Sequence, residues 1–518
     1  MPKIKTLVPI IAITLLILST LPAFGEIIVD TAWVRTYNGP GNDRDWARDM
    51  AVDEFGNVYV TGESYGDTSF YDYATVKYYP DGDTAWARRY GGPGNAGDRA
   101  YAVAVDGWGC VYVTGESWAG ETGYDYATVK YYPDGETAWV ARYNGPGNEN
   151  DAARAIAVDD SGYVYVTGWS YGDGTHSDYA TLKYYPDGDT VWVRRYHGPG
   201  NGGDWACAIA VDDSANVYVT GQSYGGSTVY NDYVTIKYDP KGDTAWLRRY
   251  NGPGSYQDLP YAMAVDALGS VYVTGESIGS GIEPDYLTIK YDPDGDTAWT
   301  ARWDGPVQWW DGAYAVAVDS LGNVCVTGGS FWSLVDADYT TIRYYRNGDT
   351  AWVRRYGGWP EGGDCAYDIA VDAEGNVYVT GLSSSATDID CATIKYYPGG
   401  DTAWLRRYDG PENGNDGASG LALDGFGNVY VMGHSHAGMT AEDYLTIKYF
   451  QALCGDANGD GAVAPSDVVH LINYLFRDGD APDPLAAGDV NANGVVDSGD
   501  VVYLINYLFR NGPPPCEP

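Results

Sequence analysis

Short apolar runs rich in β-branched and aromatic residues alternate along most of the chain with clusters of Gly, Pro, Asn and Asp. In one stretch the runs are Thr84–Tyr90, Ala100–Asp106, Val111–Gly115 and Tyr126–Tyr132. Runs of this length and composition, bounded by turn-forming residues, are typical of β-strands. The apolar positions in this stretch lack helical spacing. The pattern therefore predicts four short strands joined by tight turns.

This four-strand unit occurs eight times. The phrase Asp-Thr-Ala-Trp, or a close variant, recurs at intervals of 52 to 54 residues. It begins at Asp30, Asp83, Glu136, Asp189, Asp243, Asp296, Asp349 and Asp401. Four strands repeating at this period are typical of a β-propeller, in which each unit forms one blade around a central axis. We therefore predict an all-β fold, an eight-bladed β-propeller with four-stranded blades.

Side-chain size predicts the order of the strands within a blade. The strand of small residues, such as Ala102–Val105, suits the crowded axis, and the Thr-Ala-Trp strand suits the periphery. The chain then begins with an unpartnered outer strand, Thr31–Tyr37, and its last blade stops after the third strand, Tyr444–Tyr449. Pairing these two strands closes the ring and removes both open sheet edges.

The turn between the third and outer strands predicts one cross-strand pair per blade. A Pro-Asp-Gly-Asp turn at residues 80–83 places Lys77 opposite Trp86. The same offset gives Lys130/Trp139, Lys183/Trp192, Lys237/Trp246, Lys290/Trp299, Arg343/Trp352 and Lys395/Trp404. Trp33 and Lys448 are left over and supply the eighth pair if the ring closes.

The repeats also resemble a known family. The phrase Ala-Val-Asp-x-x-Gly-Asn-Val-Tyr-Val-Thr-Gly, followed by Asp-Tyr-Ala-Thr-x-Lys-Tyr, is similar to the repeats of secreted bacterial β-propellers called SBBP repeats. The resemblance extends from Asp30 to about Phe450 and implies the propeller fold. The name of that family refers to seven blades, whereas this chain has eight copies.

A different pattern begins at Cys454 and occurs twice. Acidic and amide residues at alternating positions, with a Gly at the sixth, are typical of an EF-hand-like calcium loop. The two sets are Asp456, Asn458, Asp460 and Asp467, and Asp489, Asn491, Asn493 and Asp500. An amphipathic run with helical spacing follows each loop, Val468–Arg477 and Val501–Arg510. We therefore predict an α-helical module that binds two Ca²⁺ ions.

This duplicated loop and helix resembles a type I dockerin, the module that docks exported bacterial proteins onto cohesins. The resemblance implies that the eight side chains above are calcium ligands, joined by the backbone carbonyls of Ala462 and Val495. It implies a cohesin-type partner that contacts Pro465, Ser466, Arg477, Ser498, Gly499 and Arg510. The alternative is that the module is a calcium-stabilised terminal cap.

The N-terminus and the net charge restrict the cellular setting. Lys3 and Lys5 precede an apolar run, Leu7–Leu18, which is typical of a secretory signal peptide cleaved after about Gly25. The formal charge of −40 disfavours binding to nucleic acid or to anionic lipid. We expect a secreted monomer without a membrane span. Its domains are the signal peptide at 1–25, the propeller at 26–450 and the dockerin-like module at 454–518.

Seven cysteines in an exported protein permit disulfides. Cys454 and Cys516 bracket the C-terminal module, and we predict that they are bonded to each other. Cys365 and Cys391 fall in one blade and are a second, weaker candidate pair.

Three short sequence patterns resemble catalytic or metal-binding motifs. Gly-x-Ser-x-Gly begins at Gly62, Gly168, Gly221 and Gly275, but each copy ends a strand, whereas a hydrolase elbow needs a following helix. His434 and His436 alternate on one strand and lack a visible third metal ligand. An Asp follows each innermost strand, either to cap a turn or to form an acidic ring at the channel mouth: Asp53, Asp106, Asp159, Asp212, Asp266, Asp319, Asp372 and Asp424. We assign no catalytic residue.

Two classes of function follow. The first is an exported, non-catalytic binding or scaffold protein, whose propeller presents a face to a carbohydrate or protein ligand and whose tail docks to an extracellular assembly. The alternative is a polysaccharide-degrading enzyme, a glycoside hydrolase or lyase carried by the dockerin. We favour the first because no pair of acids stands out from the repeat background.

Overall fold

A computed structural model describes residues 27–518 apart from 67–69, 95, 201, 227–229, 255, 280, 282, 334–335, 360–361, 437–441, 459–462, 478, 483–484, 494, 511, 514 and 517–518. The predicted signal peptide lies outside the described residues. The chain divides into two compact units, one of Asp30–Phe450 and one that includes Gln451–Pro518. Within the described ranges, no helix is long and apolar enough to cross a membrane.

Strands make up the first unit. The first sixteen are β1 Ile27–Tyr37, β2 Asp45–Val52, β3 Val58–Tyr65, β4 Tyr71–Tyr78, β5 Thr84–Tyr90, β6 Asp98–Val105, β7 Val111–Trp118, β8 Tyr124–Tyr131, β9 Thr137–Tyr143, β10 Asp151–Val158, β11 Val164–Tyr171, β12 Ser177–Tyr184, β13 Thr190–Tyr196, β14 Asp204–Val211, β15 Val217–Tyr224 and β16 Asn231–Tyr238. The next sixteen are β17 Thr244–Tyr250, β18 Asp258–Val265, β19 Val271–Ile278, β20 Pro284–Tyr291, β21 Thr297–Trp303, β22 Asp311–Val318, β23 Val324–Ser333, β24 Asp336–Tyr344, β25 Thr350–Tyr356, β26 Cys365–Val371, β27 Val377–Ser384, β28 Ile389–Tyr396, β29 Thr402–Tyr408, β30 Gly417–Leu423, β31 Val429–His436 and β32 Glu442–Leu453.

These strands form eight four-stranded sheets. Seven sheets follow chain order, as in β2-β3-β4-β5. The first strand of each sheet contacts its counterpart in the next sheet, and β30 contacts β2, so the innermost strands form a closed ring. The predicted eight-bladed propeller and its strand order are therefore confirmed. Blade 1 begins at β2, and blade 8 consists of β30, β31, β32 and β1.

The eighth blade closes the ring with the two ends of the repeat region. Its sheet order is β1-β32-β31-β30, so β1 is the outer strand beside β32, as predicted. Trp33 on β1 and Lys448 on β32 both donate to the carbonyl of Pro80 in blade 1, each at 3.0 Å. Trp86 and Lys77 donate in the same way to Pro133 of the next blade. The closing blade is therefore equivalent to the others.

All seven predicted Lys/Arg–Trp pairs occur in the register of the third and outer strands. They are Lys77/Trp86, Lys130/Trp139, Lys183/Trp192, Lys237/Trp246, Lys290/Trp299, Arg343/Trp352 and Lys395/Trp404. The Trp ring packs on the Pro-Asp-Gly turn of the following blade. Gly82 of that turn has a φ of +86°, and a Cβ there would lie 2.7 Å from the Trp33 ring. The turn therefore needs Gly for both its conformation and its contact.

Fully buried tyrosines also join neighbouring blades. The hydroxyl of Tyr73 donates to the carbonyl of Ala127 in the next blade at 3.1 Å. Equivalent bonds join Tyr126 to Ala180, Tyr179 to Val234, Tyr286 to Thr340, Tyr339 to Ala392 and Tyr444 to Ala74. Because a buried hydroxyl needs a partner, each of these side chains depends on the adjacent blade being in place.

The C-terminal unit contains two helices, α1 Pro465–Phe476 and α2 Ser498–Arg510, and a 3₁₀ turn at Leu485–Gly488. Their shared core includes Val468, Leu471, Val501 and Leu504. The predicted disulfide between Cys454 and Cys516 is present, with the Cα atoms 6.1 Å apart. It ties the start of this unit to its end.

The weaker disulfide prediction, Cys365 with Cys391, is wrong. Both thiols are free. Cys365 on β26 pairs with Leu382 on β27, and Leu382 pairs in turn with Cys391 on β28. An intervening strand separates two Cα atoms by about 9–10 Å, which is beyond the reach of a disulfide.

Ring closure predicts that Trp33 stabilises the fold as much as an internal tryptophan does. Trp33 and Trp86 are each 7 % exposed and make the same contacts. Trp33→Ala and Trp86→Ala should each lower the free energy of unfolding by about 3–5 kcal/mol, as buried Trp truncations do. Denaturant unfolding followed by β-sheet circular dichroism measures both. A loss below about 1 kcal/mol for Trp33→Ala alone would show that β1 does not complete the ring.

Candidate functional site

The second predicted calcium loop surrounds the carboxylate of Asp500. Asp500 is fully buried in the first turn of α2 and accepts the N–H of Asn491 at 3.0 Å and that of Asp497 at 2.7 Å. The Asp489 side chain accepts the N–H of Asn493 at 3.0 Å. The loop is thus folded back on itself, which brings its first and last acidic residues together. Burial raises the pKa of Asp500, and the charges of Asp489 and Asp497 raise it further.

The first loop repeats this geometry in its described part. Asp467 is fully buried and accepts the N–H of Asn458 at 3.0 Å and that of Ala464 at 2.7 Å. Asp456 is also buried. Asp460 and Ala462, which the sequence predicts as ligands, lie outside the described residues. The correspondence between the two loops indicates that they bind the same kind of ligand.

The donor set of the loops fits a calcium ion. Carboxylate and amide oxygens come from Asp489, Asn491, Asn493 and Asp500, with the Val495 backbone following in the same turn. These are hard oxygen ligands, which Ca²⁺ prefers. Two acidic side chains folded against each other, without a basic residue in the loop, also favour a cation between them.

The predicted partner-binding residues are exposed at matching places on the two helices. Pro465 and Ser466 begin α1, Ser498 and Gly499 begin α2, and Arg477 and Arg510 lie at the helix ends. Sequence reasoning missed two further exposed pairs, Val469 with Phe476 and Val502 with Phe509, which are 55–65 % exposed. Their spacing of seven residues, which places each pair on one helix face, was visible in the sequence.

On the propeller, the three patterns that suggested catalysis serve the fold. In blade 1, Asp53 accepts the N–H groups of Phe55 and Asn57 and the hydroxyl of Tyr59, which is the turn-capping role. The Ser64 side chain of the first Gly-x-Ser-x-Gly is fully buried in β3 and accepts a hydrogen bond from Arg89. Burial lowers the pKa of His434, which packs against Trp46.

The repeats differ from one another at one position of the innermost strands. Each of these strands has a β-bulge, a feature that redirects a side chain. The bulged residue differs from blade to blade: Arg48, Tyr101, Arg154, Cys207, Tyr261, Tyr314, Tyr367 and Ser419. The residue directly before the bulge is Ala in seven repeats and Pro in one, so the fold constrains that position but not the bulged one.

Five of these bulge residues line a basin of about 510 Å³. The basin residues are Arg48, Tyr101, Arg154, Cys207, Tyr261, Trp169, Trp205, Ala206, Gln222 and Pro260. The Arg154 guanidinium lies over the Tyr101 ring at 4.1 Å. The aromatic row continues from Tyr261 through Tyr314 to Tyr367, with ring centroids 5.2 and 5.6 Å apart. A concave, aromatic-lined surface with a few polar groups is typical of a ligand site.

Ion pairs hold the polar part of this face in place. Arg48 contacts Glu63 at 2.6 Å, Arg99 contacts the same carboxylate at 2.9 Å, and Arg99 also contacts Glu116 at 2.8 Å. Glu63 and Arg99 each have two oppositely charged partners, and this chain of ion pairs orients Arg48, which lines the basin.

Two acids on the innermost strands also break the repeat, and sequence reasoning missed them. Asp49 and Asp368 occupy positions where five other repeats have Ala. Asp49 accepts the N–H of Val103 in the next blade at 2.7 Å, and Asp368 accepts that of Leu421 at 2.7 Å. Burial raises the pKa of Asp49 to about 7, with a contribution from nearby Asp368, and burial raises the pKa of Asp368 to about 6. Aligning the eight copies column by column would have revealed both.

Two family models match parts of the chain. Residues 454–509 match the dockerin type I domain. Residues 33–70, 138–174 and 351–390 match the β-propeller repeat called SBBP. Dockerin domains generally bind calcium and occur in extracellular proteins. No curated protein matches the sequence.

Three solved structures show how far the fold resembles known proteins. Sqt1 from Chaetomium thermophilum superimposes with a TM-score of 0.51 at 10 % identity, covering 82 % of this chain and all of that one. The polysaccharide lyase Uly1 gives a TM-score of 0.40 at 10 % identity, covering 82 % and 99 % of the two chains. An ulvan lyase gives 0.39 at 12 % identity, covering 73 % and 97 %. At these identities the similarity to Sqt1 shows the fold alone, and the weaker two carry no argument about function.

The pKa of Asp49 predicts a pH dependence of propeller stability. The folded-state value of about 7 lies above the value of about 3.9 for an unfolded chain, so the folded state holds the extra proton between the two. The free energy of unfolding should therefore fall as the pH rises from about 4 to about 7 and level off above that. In Asp49→Asn this fall should be smaller, because the amide oxygen still accepts the Val103 N–H without ionising.

Thermal unfolding at pH 5 and pH 8, followed by the β-sheet signal, measures this difference. Asp83→Asn, which removes an exposed carboxylate from a turn, is the matched control. Equal pH dependence in the wild type and Asp49→Asn would contradict the prediction.

Proposed function

Because this protein is a β-propeller repeat protein with a type I dockerin domain at its C-terminal end, we propose that it is an exported binding or scaffold protein of an extracellular assembly. The propeller presents the ligand face, and the tail docks to a cohesin-type partner in the presence of calcium. The duplicated loop and helix carries this proposal, since both copies place a buried aspartate, Asp467 or Asp500, across its own loop. Export follows from the signal peptide proposed at residues 1–25.

The docking surface proposed for the cohesin comprises the exposed faces of α1 and α2. Each face has a small or hydroxyl pair at the helix start, an apolar pair in the body and an arginine at the end. Exposed Phe476 and Phe509 supply apolar area that a partner buries, and Arg477 and Arg510 supply hydrogen-bond donors at the rim. The two helices offer nearly the same surface, so either is a docking face for the same partner.

Two Ca²⁺ ions, one in each loop, hold these faces in the docking conformation. The ligands are Asp456, Asn458, Asp460, the Ala462 carbonyl and Asp467 in the first loop, and Asp489, Asn491, Asn493, the Val495 carbonyl and Asp500 in the second. Position 12 of each loop lies in the first turn of its helix. Calcium binding therefore fixes the helix start, where the proposed partner-binding pair lies.

The ligand of the propeller face is an oligosaccharide bound in the basin at the bulged strands. Flat aromatic side chains such as Trp205, which is 47 % exposed, and Tyr261 offer apolar surfaces to sugar rings. Arg48 and Arg154 offer donors to hydroxyl or carboxylate oxygens. The protein itself is strongly acidic, so the guanidinium groups of the basin are a local exception that favours polar or anionic sugars.

A second candidate function is polysaccharide degradation. Asp49 and Asp368 favour it, because they are two acids whose raised pKa values of about 7 and about 6 are suited to proton transfer near neutral pH. Their hydrogen bonds to the Val103 and Leu421 backbones give them a structural role as well, so binding without turnover is the first candidate.

Removing the position-12 ligands tests docking. In Asp467→Ala/Asp500→Ala, calcium binding by the tail should be lost, together with its helical signal and calcium-dependent binding to a panel of cohesin domains. The propeller signal should remain, because the propeller has its own core. Asp480→Ala, an exposed acid between the helices, is the control. Calcium-dependent cohesin binding that survives in the double variant would contradict the proposal.

Truncating the aromatic wall tests the basin. Trp205→Ala and Tyr261→Ala should each weaken binding to glycans selected on an array by roughly tenfold or more, as loss of a central aromatic contact does. Trp108→Ala removes an exposed tryptophan of a turn outside the basin and should bind normally. A parallel assay of reducing-sugar release separates turnover from binding. Wild-type protein that binds no glycan, or basin variants that bind fully, would contradict the carbohydrate assignment.

A further inference from the structure

The residue that follows each outer strand occupies an equivalent place at all eight blade junctions. We call it the junction residue, and the eight are Asn38, Gly91, Asn144, His197, Asn251, Asp304, Gly357 and Asp409. It lies beside an aspartate of the third strand and near one that begins the next blade. In blade 3, His197 Nδ1 is 3.0 Å from Asp178 Oδ1 and 3.9 Å from Asp204 Oδ2. A Cβ on Gly91 would likewise lie 2.9 Å from Asp72 Oδ1.

At two junctions this residue is itself an aspartate. One oxygen from each of Asp388, Asp390 and Asp409 lies within 4.8 Å of the other two. The same limit holds for Asp285, Asp304 and Asp311. At the other junctions the residue is Asn, Gly or His, so a third acid is not required by the fold.

Several carboxylate oxygens of the Asp409 junction are buried without any hydrogen-bond partner. They are Asp388 Oδ2, Asp390 Oδ1 and Asp416 Oδ1. Asp390 is 5 % exposed and Asp416 is fully buried. The guanidinium of Arg407 binds the opposite oxygen of Asp390 at 2.7 Å. An unpaired buried acceptor is costly, and a buried negative charge more so.

The Asp304 junction also contains a buried carboxylate oxygen without a hydrogen-bond partner. Asp311 is fully buried and its Oδ1 has no hydrogen-bond partner. Arg302 binds Asp285 at 2.9 Å, which leaves Asp304 and Asp311 without an ion pair among the described residues.

We propose that each of these two junctions binds a divalent cation, Ca²⁺, one through Asp388, Asp390 and Asp409 and the other through Asp285, Asp304 and Asp311. Oxygens on opposite sides of one Ca²⁺ ion lie about 4.6–5.2 Å apart, given Ca–O distances of about 2.3–2.6 Å, so a spread of up to 4.8 Å fits.

The burial of each site fits ion entry from solvent. Asp409 and Asp304 are exposed, whereas their partners Asp390 and Asp311 are buried. The cation therefore reaches a buried floor of carboxylates through an open side that also admits water ligands. These ions belong to the propeller and are separate from those proposed for the tail.

The other junctions supply the matched substitution. Gly stands at two of them, so Asp409→Gly and Asp304→Gly recreate a junction that the fold already contains and remove the proposed ligand oxygens. Asp401→Asn, at an exposed turn of blade 7, removes the same charge without touching the cluster.

The test uses the full chain, stripped with chelator and dialysed against Ca²⁺. Each single junction variant should bind one ion fewer per chain than the wild type, and the double variant two fewer, with Asp401→Asn unchanged. Asp467→Ala/Asp500→Ala should lose only the ions of the tail, so a failure of the tail proposal is recognised separately. Equal stoichiometry in the wild type and the double junction variant overturns the proposal.

Thermal unfolding followed by the β-sheet signal gives a second readout. The difference in melting temperature between the double junction variant and the wild type should change sign between chelator and excess Ca²⁺. In chelator the double junction variant should melt above the wild type, because it has lost two repelling charges. In excess Ca²⁺ it should melt below the wild type, because it has lost two bound ions. A variant that melts above the wild type in both conditions shows acidic clusters without a cation and overturns the proposal.

Discussion

The structure depends on contacts that no blade makes alone. Trp33 and Lys448 of blade 8 donate to one carbonyl in the turn of blade 1, and Trp86 and Lys77 of blade 1 donate in the same way to the turn of blade 2. The buried tyrosine hydroxyls also find their acceptors in the neighbouring blade. Because these contacts join neighbouring blades, including blade 8 to blade 1, closing the ring stabilises the fold. This stabilisation explains why β1 leaves the start of the repeat region to complete the last sheet.

Repetition explains why so much of the fold was predictable. Eight copies show which residues are constant, and the constant Lys, Trp, Gly and Asp positions are those that the strands, turns and junctions need. The Lys77/Trp86 register and the pairing of β1 with β32 follow from one offset and one leftover pair. The failed pairing of Cys365 with Cys391 has a simple cause. Sharing a blade does not place two residues side by side when a strand lies between them.

The candidate sites were less predictable, because they lie where copies differ. The calcium loops follow a local pattern and were visible in the sequence. The basin combines bulged residues from five blades, and a bulge is a feature of paired strands that a single strand does not reveal. Asp49 and Asp368 stand where five other repeats have Ala, and Asp304 and Asp409 stand where the others have Asn, Gly or His. Their importance appears only once their surroundings are known, which are burial for Asp49 and Asp368 and neighbouring buried carboxylates for Asp304 and Asp409.

Ring closure has a consequence for how the chain acquires its structure. β1 is the first strand of the propeller to be synthesised, and its partner β32 is the last. Until β32 arrives, β1 has no sheet to join, and blade 8 lacks its outer wall. Pairing β1 with β32 closes a loop that contains the whole repeat region. The entropy cost of this closure is met only by contacts that form after both strands are present, so the cooperative fold forms once the repeat region is complete. A ring that is closed by its first and last strands therefore suits a chain that folds as a whole.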